Sequence, residues 1–477
     1  MAEASPAGSG AAPVPAAPVD GVLQIRGGVG GLSFQFEELL AGASALDGIV
    51  HELAIIEVEA DRVRRALFPY QFDSYSTGSA AITAVGEAGR AIGSVRMKLE
   101  RLCRDVRASH RDYESAEARN TLLLRIGLTG AGYWPLPPLL GLPPITVRDT
   151  VEDGLSWAPA GVALLLGLPA GVAAAGLAGA SASVRSSIRA LAAVPELDFL
   201  RPRSVRITGS ERRIEEVDVS PAGLLLRAEA VGRTSGEIEV LELGERPHRA
   251  WVVVIPGTQL DGLPQGSNPF DTAGIAEGLG FDSSETGAAI REALAQAGAE
   301  SGDQVAAVGY SQGGIHAMNL SRDKAFLADY DLRFVLTAGS PVGAIEPAAG
   351  TSSLHLEHEQ DWVPGADGMP NPDTKDRVTV TVTTPIPGHE WLERGLGPGH
   401  DAARYAEGAR EISASRNPSL EASTAALTAV VGAGGTAGVT RFSLRRETRG
   451  STRRALAPAP GPSGQAREER WPPGTLR

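Results

Sequence analysis

Apolar and polar positions follow three different rhythms along this chain. Over 34–67 apolar residues recur at helical spacing, and over 85–106 they fall at Val85, Ala88, Ile92, Val95, Leu99, Leu102 and Val106, in alternating steps of three and four. Arg90, Arg96, Lys98, Glu100, Arg101 and Arg104 lie off that seam. The pattern predicts two long helices paired as a hairpin, with a turn over 68–80 that holds Pro69 and Gly78. From about residue 220 the rhythm changes to short, strongly apolar runs between Gly, Pro and Asp loops. GLLLRAEAV (223–231), EIEVLEL (237–243), AWVVVI (250–255), VAAV (305–308), FVLTA (334–338), LHLEH (354–358) and VTVTVT (378–383) read as strands. Helix-like AAIREALAQAGA and HAMNLSRDKAFLA flank VAAV. Strands alternating with helices predict an α/β domain whose mostly parallel sheet is covered on both faces, with reactive groups at the carboxyl ends of the strands.

The third rhythm is an absence of one. Residues 157–180, WAPAGVALLLGLPAGVAAAGLAGA, carry no charge over a length that could span a bilayer. Most of that stretch is Ala and Gly, and Pro159 and Pro169 interrupt it, so a small-residue segment packed on the protein or a pliant linker is expected rather than a membrane span. The expected organisation is a disordered 1–32, an all-α hairpin over 33–127, a Pro/Gly/Ala-rich apolar linker over 128–203, the α/β domain over 204–411, and a low-complexity basic tail over 412–477.

Composition narrows the function classes. The chain has 477 residues, 42% hydrophobic and 21% charged, which is ordinary for globular domains. A net charge of −13, with only the tail basic, argues against nucleic acid as the main partner. The single cysteine, Cys103, allows no internal disulfide and says nothing about compartment. The first residues lack the basic and apolar regions of a general secretory signal peptide, which leaves a cytoplasmic location and export by another route both open.

The chemistry concentrates around VAAVGYSQGG, residues 305–314. A strand run, a sharp turn and a helix start surround a Gly-x-Ser-x-Gly match, the context in which a serine hydroxyl is presented on a strained turn. Gly309 and Gly313 stand two positions before and after Ser311, where side chains would collide between strand and helix, and Gly314 eases the same approach. A serine nucleophile needs a base and a group to orient that base. Asp361 lies just beyond the run LHLEH, where an orienting carboxylate belongs. His400, in GPGHDAARYAEGARE, is preferred as base over His389, in PIPGHEW, because it follows a Gly-Pro-Gly loop and directly precedes an amphipathic helix. His355, Glu357 and His358 form an H-x-E-H cluster, but strand alternation turns Glu357 away from His358, so no metal site is expected.

The series G-Y-S-Q-G, TAGSPVG, QDWVP and a late histidine resembles class 3 lipases and related serine esterases of the α/β-hydrolase superfamily. The resemblance covers about residues 220–411. It implies Ser311 as nucleophile, Asp361 as triad acid from its D-x-V-P stretch, and His400 or His389 as base. It also implies that Gly257 and Thr258 form the oxyanion turn, with the backbone N–H groups of Thr258 and Gln312 facing the developing oxyanion. At the other end, RDYESAEARN places Tyr113 and Glu117 as Y-x-x-x-E after the second predicted helix, with Tyr75 and Gly78 near the turn. That hairpin, over about 33–120, resembles the WxG family of type VII secretion substrates, which implies export machinery or a helical partner. The expected activity is hydrolysis of carboxylic esters, lipid esters among them, through an acyl-enzyme without a cofactor. The alternatives are an acyltransferase using the same triad and a non-enzymatic docking protein that works through its hairpin.

Overall fold

A strand buried on both faces reads as an unbroken apolar run, and Ala250–Ile255 is such a strand, with all six residues buried. The computed structural model describes residues 19–20, 22–30, 32–72, 76–130, 147–158, 161–168, 183–245, 249–259, 266–386 and 399–448. Among them one ten-stranded mixed sheet is formed. Its strands are β1 (Val19–Asp20), β2 (Leu23–Gly27), β3 (Val205–Val217), β4 (Glu237–Leu243), β5 (Ala250–Ile255), β6 (Gln304–Tyr310), β7 (Asp331–Ala338), β8 (Ser352–His358), β9 (Arg377–Val382) and β10 (Gly435–Arg446). They lie in the order β1-β2-β9-β8-β7-β6-β5-β4-β10-β3. Strands β5 to β9 are parallel and adjacent in chain order, and every pairing outside that block is antiparallel.

The helices follow in chain order. α1 (Leu32–Leu67) and α2 (Thr77–Gly130) pack along each other as an antiparallel pair. α3 (Val147–Trp157), α4 (Val162–Leu165) and α5 (Val184–Ala193), with a 3-10 turn over Pro195–Leu200, bury a separate apolar cluster against α7 (Thr272–Phe281). α6 (Pro221–Val231), α11 (Ala402–Ala414) and α12 (Pro418–Val431) cover one sheet face. α8 (Ser284–Ala297), α9 (Gln312–Leu320) and α10 (Lys324–Asp329) cover the other.

Several expectations are corrected. GLLLRAEAV is helix α6, not a strand: Pro221 occupies its first turn and the Ser220 side chain accepts from the Gly223 N–H. Leu224, Leu225, Ala228 and Val231 are all buried, so the run is apolar because the helix is deeply packed, and a short apolar run has no periodicity that distinguishes the two. The stretch read as a basic tail contains α12 and β10. β10 is inserted between β4 and β3, sending Ala437 and Val439 into one core and Phe442 and Leu444 into the other. Two of its arginines are matched by acids: Arg441 Nε bonds Glu239 Oε1 at 2.7 Å, and buried Arg446 pairs with Asp271, while Arg445 donates to Ser267 Oγ.

Residues 23–27, expected to be disordered, form the strand beside β9 and bury Leu23 and Ile25. The expected linker supplies α3, α4 and α5, and Arg148 on α3 donates to Glu357 of β8 at 2.5 Å. In the hairpin the seam named above is buried only in part: Val85, Ile92, Leu99 and Val106 are half-buried, whereas Val95 and Leu102 are 48% and 49% exposed. The closest contact with α1 runs along Gly86, Gly89, Gly93 and buried Cys103. Added Cβ atoms would stand 3.8 Å from Ala60 at Gly89 and 2.7 Å from the Glu57 carboxylate at Gly93. Glycines on that face let the two helices approach closely. Among the described residues, the helix long and apolar enough to cross a bilayer is Glu38–Tyr70. Residues 161–168 instead contribute Val162, Ala163, Leu166 and Leu168 to the α3–α5 cluster, and 169–182 lie outside the described residues.

Because β10 joins β4 to β3, a chain ending at residue 414 is expected to lose cooperative thermal unfolding by circular dichroism, whereas one ending at 448 keeps it. A cooperative transition in the shorter chain at the full-length temperature would show that β10 is dispensable.

Candidate active site

Strand β6 runs buried from Val305 to Gly309 and turns sharply at Ser311, whose φ of 53° and ψ of −123° are rare for a side-chain-bearing residue. The turn is possible because nothing projects from its two shoulders. A Cβ on Gly309 would overlap the backbone of Gly313 and Gly314, and one on Gly313 would overlap the carbonyl oxygens of Ile255 and Pro256. Ser311 N–H donates to Ala338 O at 2.8 Å, and Gly314 N–H donates back to Ser311 O at 3.0 Å. These two bonds fix the strained residue between β7 and α9.

Residues that follow β6, β8 and β9 in the chain then meet. Ser311 Oγ lies 2.9 Å from His400 Nε2, and His400 Nδ1 lies 2.8 Å from Asp361 Oδ2. The carboxylate accepts, so Nδ1 carries the proton and the Nε2 lone pair accepts from the serine hydroxyl. Asp361 is 0% exposed and follows β8 through a turn closed by Asp361 N–H to His358 O at 2.9 Å. Its Oδ1 accepts from the Val363 N–H at 2.9 Å and its Oδ2 from the Tyr405 hydroxyl at 2.5 Å. His400 is placed by Gly399, where a Cβ would overlap the Gln360 carbonyl, and by Asp401, which caps α11 through the Arg404 N–H. The Tyr310 ring stacks on the imidazole at 5.1 Å and 24°, and its hydroxyl donates to His400 O at 3.1 Å. Burial beside Asp361 pushes the Tyr310 phenol above its usual range, keeping it a donor. Ser311 itself is 3% exposed.

The turn after β5 adjoins the serine: a Cβ on Gly257 would stand 3.2 Å from Ser311 Cβ. Thr258 follows it, and Gln259 anchors the turn. The buried Gln259 amide donates to Gly232 O and Thr234 O at 2.9 and 2.8 Å and accepts from Gly236 N–H and Asn268 Nδ2 at 2.9 and 2.8 Å. Gln312 opens α9, so its N–H belongs to the first turn and has no intrahelical partner. Its side chain turns inward, donating to Pro269 O and to His316 Nε2, each at 3.2 Å. His316 Nε2 is thereby the acceptor. Nδ1 then carries the proton and bonds Ser283 Oγ at 2.7 Å, and Asn319 Nδ2 also donates to that oxygen at 2.9 Å. Burial, with Arg446 nearby, lowers the His316 pKa to about 3 and keeps the ring neutral.

Of the residues singled out from sequence, Ser311, Asp361, His400, Gly309, Gly313, Gln312 and Thr258 come together here. His389 lies outside the described residues, and Tyr113 and Glu117 lie within α2. The H-x-E-H side chains are each engaged elsewhere. His355 bonds Thr337 Oγ1 at 2.7 Å and Ser353 Oγ at 3.1 Å, Glu357 accepts from Asn371 at 2.7 Å, and His358 reaches Thr384 O at 3.2 Å. Tyr310, Tyr405, Gln259 and His316 were not singled out from sequence. The spacing of Gln312 and His316, four apart on one helix, was the available signal for the last. Compared with protein-family models, curated proteins and solved structures, the chain matches none.

His316 makes stability pH-dependent. Its pKa when folded lies below the unfolded value near 6.5, so the unfolded chain takes up the proton first. The contribution is complete above about pH 6.5 and is lost as pH falls toward 3, at about 1.4 kcal/mol per pH unit. Urea unfolding of the wild type and His316→Gln at pH 4.5 to 7 is expected to show a shallower acid slope in the variant. Parallel slopes would mean that His316 titrates freely in the folded protein.

Proposed function

We propose that the chain has an α/β-hydrolase fold and is a serine hydrolase of carboxylic esters, working through an acyl-enzyme on Ser311. The observation that carries this reading is the continuous bonded row from Ser311 Oγ through His400 to Asp361, assembled at the carboxyl ends of three parallel strands. The G-Y-S-Q-G, TAGSPVG and QDWVP segments, with their likeness to class 3 lipases, support the same reading.

In this mechanism Ser311 Oγ attacks the ester carbonyl carbon as its proton passes to His400 Nε2. The imidazolium is stabilised by Asp361, which accepts from Nδ1–H and stays ionised. The negative oxygen of the tetrahedral intermediate faces the N–H groups of Thr258 and Gln312, which are held in place beforehand and need not reorganise as charge develops. His400 returns the proton to the leaving alkoxide, the alcohol departs, and the acyl group remains on Ser311. Water, deprotonated by His400, repeats the sequence and releases the acid. No step calls for a cofactor. The hairpin is then a docking module outside the reaction, supported by the exposure of Ile49, Ile55, Ile56 and Val58 on α1.

A fluorophosphonate probe is expected to label the full-length protein at Ser311. Ser311→Ala should abolish labelling and lower p-nitrophenyl ester turnover by about 10⁴-fold, with the thermal transition retained. His400→Ala should cost a similar factor, and the double variant little more, because the residues act as a unit. Undiminished turnover in Ser311→Ala would refute the assignment.

A further inference from the structure

We propose that Tyr405 is a positioning residue that sets the basicity of His400 by sharing its carboxylate partner. Tyr405 Oη donates to Asp361 Oδ2 at 2.5 Å, and His400 Nδ1 donates to that same oxygen at 2.8 Å. The other carboxylate oxygen accepts from the Val363 N–H. A short O–H bond to a carboxylate is among the stronger hydrogen bonds in proteins, and it draws charge from the oxygen that accepts it. With Tyr405 in place, Oδ2 is a weaker partner for an imidazolium than a carboxylate bonded to His400 alone. The base is therefore less basic than an isolated buried His–Asp pair would make it. A base works best when it is neutral at working pH yet strong enough to take the serine proton, and the shared oxygen moves His400 in that direction.

The donor is protected against its own ionisation. Burial and the adjacent Asp361 charge hold the Tyr405 phenol well above its usual range. The fold also gives it a fixed place. Tyr405 is fully buried in the first turns of α11, its N–H bonded to Asp401 O at 3.1 Å, so the helix that follows His400 returns a second donor to the same acid. Gly339, at φ 59°, closes the pocket: a Cβ there would lie 2.9 Å from the Tyr405 ring and 3.0 Å from the His400 ring. Tyr310 serves a separate purpose, since its hydroxyl is bonded to the His400 carbonyl rather than to Asp361. Among the described residues, the other ionisable groups whose charges reach this pocket are Asp401, Glu229, Glu357, Arg404 and His358. All of them remain when Tyr405 is replaced.

The mechanistic use of this bond rests on the hydrolase reading, but the bond can be tested without turnover. Full-length protein carrying isotope-labelled histidine is titrated by NMR, with the His400 resonance assigned by its loss in His400→Gln. Tyr405→Phe is expected to raise the midpoint of the His400 titration by about one pH unit. Ile412→Val, a packing loss on the same helix, should leave it in place. Placing 3-fluorotyrosine at position 405, a more acidic donor that preserves the packing, should lower the midpoint and keeps the test open if the phenylalanine variant fails to fold. The acid limb of kcat/KM for ester hydrolysis should move with the midpoint in each protein. A midpoint unmoved in both Tyr405 proteins, or raised equally by Ile412→Val, would overturn the proposal. Should the wild type turn over no ester, the midpoints still decide the role of Tyr405, and only the hydrolase reading falls.

Discussion

The proposed reaction centre depends on how closely the end of β6 approaches the start of α9 across Ser311. That approach leaves no room for a Cβ at Gly309 or Gly313, and it holds Ser311 at a positive φ that costs on the order of 1–3 kcal/mol. The strain persists because β6 is paired along its length with β5 on one side and β7 on the other, in a block of parallel strands with both faces buried. The same contact sets the proposed oxyanion turn. Gly313 sits against the carbonyls of Ile255 and Pro256, so the position of Gly257 and Thr258 follows from the position of the helix that carries Gln312. The proposed nucleophile and oxyanion donors are thus two results of one close packing.

The acid side of the centre is fixed by polar satisfaction instead. On β8, His355 and Glu357 point to the face away from Leu354 and Leu356, and each is bonded within that layer. Arg148 from α3 meets Glu357, and Arg377 reaches the carbonyls of Ile345 and Val342 at 2.8 and 2.6 Å. Burial lowers the Arg377 pKa to about 10 and raises that of Asp367 to about 7. Such a network adds little net stability over an apolar packing, but breaking one member leaves an uncompensated charge, so it favours a single arrangement. That arrangement includes the Asp361 loop. Gly365 on the loop packs against Arg148 O and Glu152, and Gly368 packs against Leu155, which ties α3 to the segment carrying the acid.

What the sequence made legible follows from which signals are local. The glycines around Ser311 act within five residues, and the order serine, aspartate, histidine reflects strands met in turn along the chain, so the bonded row could be assembled from position and spacing. β10 was hidden because half of its residues are arginine, serine or threonine, and their acidic partners, such as Glu239 and Asp271, lie far away in sequence. α6 was hidden because Leu224, Leu225 and Leu226 form an unbroken apolar run although Leu226 is exposed, and that run masks the helical period. β2 was hidden by its Gly/Pro-rich surroundings, since two buried side chains cannot outweigh composition. Tyr405 acts through one bond to a residue 44 positions away, and Gln259 through four bonds to residues 9 to 27 positions away, and no pattern in one sequence encodes such partners.

α1 begins only a few residues after β2 ends, and Ser419 of α12 clasps the junction, accepting from the Gly30 N–H at 2.9 Å and donating to Gly27 O at 3.1 Å. β2 is in turn bonded along β9, from Leu23 opposite Val382 to Gly27 opposite Val378. β9 is the strand whose end leads toward His400. The hairpin is therefore joined to the sheet through β2, which lies just inside the short edge strand β1 and is bonded to β9. β9 is flanked by β8, which leads into Asp361, and precedes His400 in the chain, whereas Ser311 follows β6, three strands further in than β9.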